Sequence, residues 1–245
     1  MPTRFPGFPP ETLPFLRDLK ANNKREWFQP RKPVYEEKVK APLVELVLAL
    51  GEELRDFGTD LVTAPDKAIY RIYRDVRFSK DKSPYKTHVA AVFSARGLEK
   101  HAGAGLYFHV SPDELLVGGG IYRPGSRELL AIRQRIAAGH EALRAICEER
   151  MFRHFFGQIT GERLKRTPKG FAPDHPAADL LVYKQFLAAD HLDPAIAETP
   201  KLFQELVKRF RAIEPLIVFL NSSLAGEKSQ TKLTCMSHHE ARRSG

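Results

Sequence analysis

The spacing of apolar residues changes at Ala68, and this change limits the fold more than any other feature of the sequence. Before Ala68 apolar residues recur every three to four positions, which is typical of amphipathic helices. From Ala68 to about Tyr122 they alternate in short segments, which indicates strands, and helical spacing returns after Gly125. This order predicts an α+β protein, a single domain with a mostly antiparallel sheet of about four to five strands packed against amphipathic helices.

The predicted strands lie mostly in one central block. Four are expected at 68–78, 85–95, 105–111 and 114–122, with an edge strand at 185–192. The first two flank the turn sequence SKDKSP and are expected to pair as a hairpin. The fourth contains Gly118-Gly119-Gly120, a run that is costly in a strand. It indicates that either a ligand or another segment of the chain closely approaches the backbone there.

The other segments are predicted to be helices and loops within one domain. Helices are expected from Thr12, over 34–57 with a kink at Pro42, on both sides of Gly139, near 177–183 and over 201–224. Pro30 and Pro33 are expected to interrupt the chain before the second helix, and 157–176 to form a polar loop. Because no flexible linker is present, residues 1–225 are predicted to form the domain. Residues 226–245 lack apolar periodicity and are predicted to be a disordered tail.

The composition and the cysteine content indicate a cytoplasmic protein. Hydrophobic residues make up 42% and charged residues 28% of the chain, as in an ordinary globular protein. Cys147 and Cys235 provide no disulfide framework, which is usual in a reducing compartment. The N-terminal sequence has no apolar signal-peptide core, and no apolar run is long enough to span a membrane. No membrane partner is therefore expected.

Positive charge is concentrated in one segment of the chain. The formal net charge is +9, which favours an anionic small molecule or nucleic acid as partner. Residues 67–88 contain seven Lys or Arg and two Asp side chains. Guanidinium forks and lysine ammonium groups bind phosphate or carboxylate, so this segment and the 157–176 loop are predicted to bind an anion. The predicted ligand contacts are Arg71, Arg77, Lys80, Lys82, Lys86, Lys165 and Lys169.

Candidates for catalysis are fewer and depend on convergence in space. Asp75, Asp81 and His88 could serve as general base or metal ligand if they share a pocket. No metal-ligand spacing is recognised among the possible donors Asp75, Asp81, His88, His101, His109, Asp174 and His175, so no metal site is assigned. Cys147 lies within a helical segment without a base nearby in sequence, and no serine has a nucleophile-elbow pattern. No reaction or cofactor is therefore assigned.

Four strings of the sequence resemble a known protein family. They are LKANNKREWF, RIYRDVRFSKDKSPYKTH, GGGIYRP and LKRTPKGF, in this order. They are similar to a widespread family of bacterial and fungal proteins known only as a conserved domain of unknown function. The resemblance spans roughly Phe5 to Leu224 and leaves out the tail beyond Gly226. It implies no activity, cofactor or catalytic residue.

Three functions remain open from the residues alone. The preferred one is binding of a phosphate-containing ligand or nucleic acid through the basic strand-turn-strand at 71–88. The second is an enzyme acting on a phosphorylated or other anionic substrate, with Asp75, Asp81 or His88 as the base. The third is an interaction protein in which Arg71 and Arg77 are buried in ion pairs as internal glue.

Overall fold

Four antiparallel strands form one sheet in the computed structural model, which describes residues 5–57, 60–96 and 103–240, with side chains except those of Phe57 and of residues after Leu224. The strands are β1 (Val89–Ser94), β2 (Gly105–Val110), β3 (Leu115–Ile121) and β4 (Phe186–Leu192), in the order β1-β2-β3-β4. All three pairings are antiparallel. The predicted α+β class and the edge strand at 185–192 are confirmed.

Helices precede the sheet, connect β3 to β4 and follow β4. They are α1 (Thr12–Ala21), α2 (Arg25–Tyr35), α3 (Ala41–Leu54), α4 (Pro65–Ala68), α5 (Ser126–Ala138), α6 (His140–Glu148), α7 (Arg150–Phe156), α8 (Ala178–Leu181) and α9 (Lys201–Glu240). A π-helical turn covers Glu36–Lys40, and 3₁₀ turns cover Arg55–Phe57 and Pro194–Glu198. The predicted break at Gly139 is confirmed, since it separates α5 from α6.

Prolines affect the helices differently from the prediction. Pro30 and Pro33 do not interrupt the chain, because both lie inside α2. Pro42 does disturb the helix, and the π-helical turn ends at Lys40, two residues before it. Pro42 has no N–H to donate to the carbonyl of Lys38, four residues earlier. The Thr12 hydroxyl donates to that carbonyl at 2.6 Å instead, which fixes α1 against the irregular turn.

The predicted first strand at 68–78 is wrong. This segment forms only isolated bridges, Ile69 with Ala91 and Tyr73 with Tyr85. Ala68 ends α4, Arg77 and Phe78 form a turn, and the residues between them run beside the free edge of β1, where the Tyr70 N–H donates to the Ala90 carbonyl at 3.0 Å. An extended segment packed on one side gives the same period of two as a strand, so periodicity alone does not separate the two. The second predicted strand is shorter than expected and begins at Val89.

Helix α9 packs on one face of the sheet and forms the core with it. Ile213 and Ile217 of α9 are fully buried against this face, where β3 presents Gly119. Arg209 of α9 is buried and pairs with Asp190 of β4 at 2.7 Å and with Glu205 at 2.6 Å. A buried arginine needs such partners, because removing one of them leaves a charge without compensation.

Helix α9 extends beyond Leu224. Its backbone is helical to Glu240, within the segment 226–245 for which the sequence predicts a disordered tail, and that tail stays a prediction. Residues 241–245 lie outside the described residues. The boundary of the domain at 225 therefore stays a prediction.

A Gly119→Ala substitution is expected to destabilise the protein by about 1–3 kcal/mol, the usual cost of overpacking a core. The added Cβ would lie 2.7 Å from the Gly105 carbonyl oxygen and 3.1 Å from Ile217 Cδ1. Gly139→Ala is the control, because a Cβ there meets nothing within 4 Å and the backbone is extended. Urea unfolding measures both, and equal midpoints for the two variants would contradict this account of α9 packing.

Candidate functional site

The face of the sheet opposite α9 contains a cavity of about 580 Å³, here called the sheet-face pocket. Alternate residues of a strand point to opposite faces, so the register places Ser94, Gly105, Gly118, Gly120 and Ala189 on this face. All five line the pocket. Their small size leaves the floor of the pocket close to bare backbone.

The glycines of the floor cannot be replaced freely. Gly120 has a φ of +124°, which side chains rarely adopt, and a Cβ there would collide with the Phe186 carbonyl oxygen. A Cβ on Gly118 would collide with the Ala188 carbonyl oxygen. The sequence left open whether a ligand or another segment approaches this run. The structure places α9 against Gly119, so another segment of the chain approaches one face, and it leaves the pocket over Gly118 and Gly120 on the other face.

Aromatic, basic and apolar side chains form the walls. The polar wall residues are Tyr70, Lys86, His88, Tyr107, His109, Tyr122 and Arg123, and the larger apolar ones are Val92, Leu116 and Leu187. Among the described residues that line the pocket, none is Asp or Glu. The lining therefore combines positive charge with apolar surface.

A chain of hydrogen bonds leads from the pocket to the surface. The Tyr107 hydroxyl lies 3.1 Å from His109 Nδ1, and His109 Nε2 lies 3.1 Å from Glu114 Oε1. The other carboxylate oxygen, Oε2, lies 2.6 Å from Nδ1 of the exposed His191. An ionised carboxylate only accepts, so His109 Nε2 carries a hydrogen and Nδ1 accepts the hydrogen bond from the Tyr107 hydroxyl.

Burial determines the protonation states of the hydrogen-bonded residues Tyr107, His109 and Glu114. Burial lowers the pKa of His109 although Glu114 partly opposes the shift, and burial raises the pKa of Tyr107. Burial also raises the pKa of Glu114, but hydrogen bonds from His191 and His109 outweigh it, and the net shift is downward. Neutral tyrosine, neutral imidazole and carboxylate are therefore the resting forms at neutral pH.

Two residues before β1 complete this end of the pocket. The Lys86 ammonium donates to the Arg71 carbonyl at 2.9 Å and lies 4.8 Å from the centroid of the Tyr70 ring. The His88 ring lies 5.1 Å from the His109 ring, between centroids. Burial lowers the pKa of His88 to about 4, with His109 and Lys86 adding to the shift. His88 is therefore neutral at physiological pH.

Of the predicted ligand contacts and catalytic candidates, the structure brings only Lys86 and His88 into the pocket, together with His109, which the sequence offered only as a possible metal donor. Asp75 instead accepts two hydrogen bonds from the Arg77 guanidinium, at 3.0 and 2.7 Å, which lower its pKa to about 2. Asp81 accepts from Ser83 and pairs with Arg74, and these contacts lower its pKa. The two aspartates are exposed, and they do not converge with His88.

The other predicted ligand contacts lie on the surface, outside the pocket lining. They are Arg71, Arg77, Lys80, Lys82, Lys165 and Lys169, all exposed. The Arg77 side chain is 77% exposed and pairs with Asp75 at the surface. The interaction-protein hypothesis requires Arg71 and Arg77 to be buried, but both are exposed.

Sequence reasoning missed most of the pocket. Tyr107 and His109, two positions apart on β2, share a face, and Glu114 follows them across a tight turn, which was a usable signal. His191 reaches Glu114 only because β4 pairs with β3. Arg123 reaches the pocket only because of the path of the chain after β3. For metals, His101 lies outside the described residues, and no three suitable donors within them are placed to hold an ion.

Stability is expected to fall as the pH is lowered from about 6.5 to about 4, partly because of His88. Its pKa is about 4 in the folded state, below the ordinary 6.5, so the unfolded chain binds the proton first. A His88→Gln variant should lose less stability over this range than the wild type, as measured by Tm against pH. His154→Gln, at an exposed position on α7, is the control. Equal pH slopes for wild type and His88→Gln would contradict the assignment.

Comparison with known proteins agrees with the resemblance found in the sequence. No helix in the described residues combines the length and apolarity needed to cross a membrane. No curated protein and no solved structure gives a significant match to the chain. A family model described as a conserved hypothetical protein matches residues 11–219. The chain therefore belongs to the conserved hypothetical protein family DUF2461.

Proposed function

We propose that the protein binds a small anionic molecule with an apolar body in the sheet-face pocket. The observation that carries this proposal is the lining, which holds Lys86 and Arg123 and, among described residues, no carboxylate. The volume of about 580 Å³ suits a small molecule. Apolar walls supply contact area, and a few polar groups orient the ligand, as is usual in such sites.

The two cations lie toward opposite ends of the pocket. Lys86 precedes β1 at the end where Val89 pairs with Val110. Arg123 follows β3 at the other end, where Gly105 pairs with Gly120. Arg123 is exposed, and its guanidinium lies 5.2 Å from the centroid of the Tyr122 ring. A guanidinium fork binds carboxylate or phosphate through two parallel hydrogen bonds, which fits Arg123 for the charged end of the ligand.

Neutral histidines support binding of an uncharged part of the ligand near Lys86. Neither His88 nor His109 adds charge at neutral pH, because burial lowers the pKa of both. Their rings and those of Tyr70 and Tyr107 offer aromatic surface with polar edges. The ligand is therefore expected to have an aromatic or aliphatic body with one or two anionic groups.

Benzoate and phenyl phosphate are expected to bind the wild type, whereas benzamide, which matches benzoate in shape without its charge, should bind at least tenfold more weakly. Calorimetric titration or ligand-observed NMR measures the Kd. The Lys86→Gln/Arg123→Gln variant should lose at least tenfold in affinity for the anions, because a hydrogen bond to a charged group contributes about 1.5–3 kcal/mol. Lys86→Gln and Arg123→Gln are also measured singly, and the one with the larger loss of affinity contacts the charged group of the ligand.

The Lys165→Gln/Lys169→Gln variant is the matched control, since it removes the same charge from an exposed loop outside the pocket lining. It should leave both Kd values unchanged. Equal losses in the two double variants would show that binding follows total charge, and the pocket proposal would then fail. A loss of affinity only in a Lys80→Gln/Lys82→Gln variant would place the anion site in the basic segment 71–88 and not in the pocket.

Nucleic acid is a second candidate, favoured by one side chain. Phe78 is 96% exposed in the basic segment, next to Arg77. Exposed aromatic rings among Lys and Arg bind single strands by stacking on bases while the cations contact phosphates. Lys80 and Lys82 are the expected phosphate contacts. This candidate uses the predicted basic segment and is independent of the pocket.

A Phe78→Ala substitution should weaken binding of a 12-nucleotide oligothymidylate by at least about fivefold, because stacking on one base contributes about 1–3 kcal/mol. Fluorescence anisotropy measures the Kd at 50 and 200 mM salt, and the affinity should fall steeply between them. Leu48→Ala removes another exposed apolar side chain, 53% exposed on α3, and is the control. Binding that is insensitive to both Phe78→Ala and salt would eliminate this candidate.

A further inference from the structure

We propose that Tyr107 is an acid–base group that exchanges a proton with the molecule bound in the sheet-face pocket, with His109 taking up the phenolic proton and Glu114 orienting the imidazole and balancing its charge. This inference rests on the proposed function, because it needs a ligand in the same pocket. It adds that the protein is an enzyme whose reaction begins or ends with a proton transfer. The sequence-based predictions assigned no role to Tyr107.

The geometry has the order that a proton relay needs. Tyr107 lines the pocket, and its hydroxyl lies 3.1 Å from His109 Nδ1. His109 Nε2 is held by Glu114 at 3.1 Å, so the imidazole presents its basic nitrogen to the phenol. A general base must lie within hydrogen-bond reach of its proton, and a third group that orients the base completes the arrangement.

The surroundings keep this relay in its active form. Glu114 is held by two histidines, His109 and His191, one on each carboxylate oxygen. Burial keeps the pKa of His109 below its usual value, so the imidazole is a free base at neutral pH. A Tyr107 phenol by itself is a poor base, since burial raises its pKa. His109 removes this restriction, because it takes the phenolic proton at the moment when the phenol oxygen accepts another.

The proton step balances in this arrangement. The ligand gives a proton from an acidic O–H or C–H bond to the Tyr107 oxygen, and the original phenolic proton moves to His109 Nδ1. The ligand is left with the electron pair as an alkoxide or enolate, and the imidazolium forms an ion pair with the Glu114 carboxylate. Reversal of the step protonates the product. Lys86, on the wall beside Tyr70, supplies positive charge for the developing anion.

The substrate class follows from these positions. Arg123 holds a permanent carboxylate or phosphate at one end of the pocket, and Tyr107, which pairs with Gly118 in the middle of the sheet, meets a weakly acidic hydroxyl or carbon of the same molecule. The reaction class is proton transfer within a small hydroxy or oxo acid or its phosphorylated equivalent. No atom other than hydrogen changes place in the step that Tyr107 performs.

The probe 4-(fluorosulfonyl)benzoate tests the relay without knowledge of the substrate. Its benzoate group matches the proposed ligand, and its sulfur reacts with an activated phenol. The Tyr107 oxygen bonds to sulfur, the S–F bond breaks, fluoride leaves and the phenolic proton goes to His109 Nδ1. Peptide mass spectrometry measures the labelling rate of each tyrosine. Tyr73, 43% exposed and outside the pocket lining, is the internal reference.

Tyr107 is expected to be labelled at least tenfold faster than Tyr73 at pH 7. Its rate should be level from pH 7 to 9, because His109 is already a free base, whereas a phenol without a base partner reacts as phenolate, about tenfold faster per pH unit below the ordinary tyrosine pKa of about 10. His109→Gln and Glu114→Gln should lower the Tyr107 rate at least tenfold and restore the pH dependence. Folding of both variants is checked by circular dichroism, and the pH profile of wild type remains decisive if either fails to fold.

The outcomes separate this inference from the proposed function. Labelling of Tyr107 that is no faster than that of Tyr73, in a protein that binds benzoate, would overturn the relay and leave the anion site intact. A second outcome is that neutral benzenesulfonyl fluoride labels Tyr107 as fast as the anionic probe does, with a level pH profile. This outcome would support the relay and reject the anion site. A Tyr107 rate that follows pH like the Tyr73 rate would also reject the relay.

Discussion

The three glycines of β3 allow the middle of the sheet to be approached closely from both faces, and the rest of the structure is arranged around this constraint. On one face Gly119 admits Ile213 and Ile217 of α9, which fixes the helix against the sheet. On the other face Gly118 and Gly120 leave the floor of the pocket bare. A side chain at Gly120 would meet the backbone of β4 in a conformation that only glycine adopts readily. Core packing and pocket shape therefore share one segment of three residues.

The segment before β1 is positioned by contacts with the N-terminal helices rather than by the sheet. The Asn23 side chain donates to the Tyr85 carbonyl at 2.9 Å and accepts from the Tyr85 N–H at 3.0 Å. The Phe28 and Tyr85 rings stack with centroids 4.2 Å apart. These side-chain hydrogen bonds satisfy the backbone N–H and carbonyl of Tyr85, while the residues on either side of it bond to the segment of Tyr73. Lys86 and His88, directly after Tyr85, reach the pocket because of this anchor.

The basic side chains of the segment 67–88 lie in two different environments. On the exposed loop, Arg77 and Arg74 are paired with Asp75 and Asp81, and such pairs contribute little to stability in water. Lys86 lies instead on the wall of a cavity lined by aromatic rings, where water is partly excluded and a charge has more effect. The number of basic residues in a segment therefore does not show which of them lie in a pocket.

The sequence by itself determined the α+β class, the positions of β2, β3 and most helices, and the significance of Gly118-Gly119-Gly120, because these depend on local periodicity and backbone preference. It also placed Lys86 and His88 in a candidate site. It did not separate the extended segment 68–78 from a strand, since both have a period of two. Only the tertiary structure joined Tyr107, His109 and Glu114 to residues on β4 and at the end of β3, because pairing register and the side on which α9 packs are properties of the whole sheet.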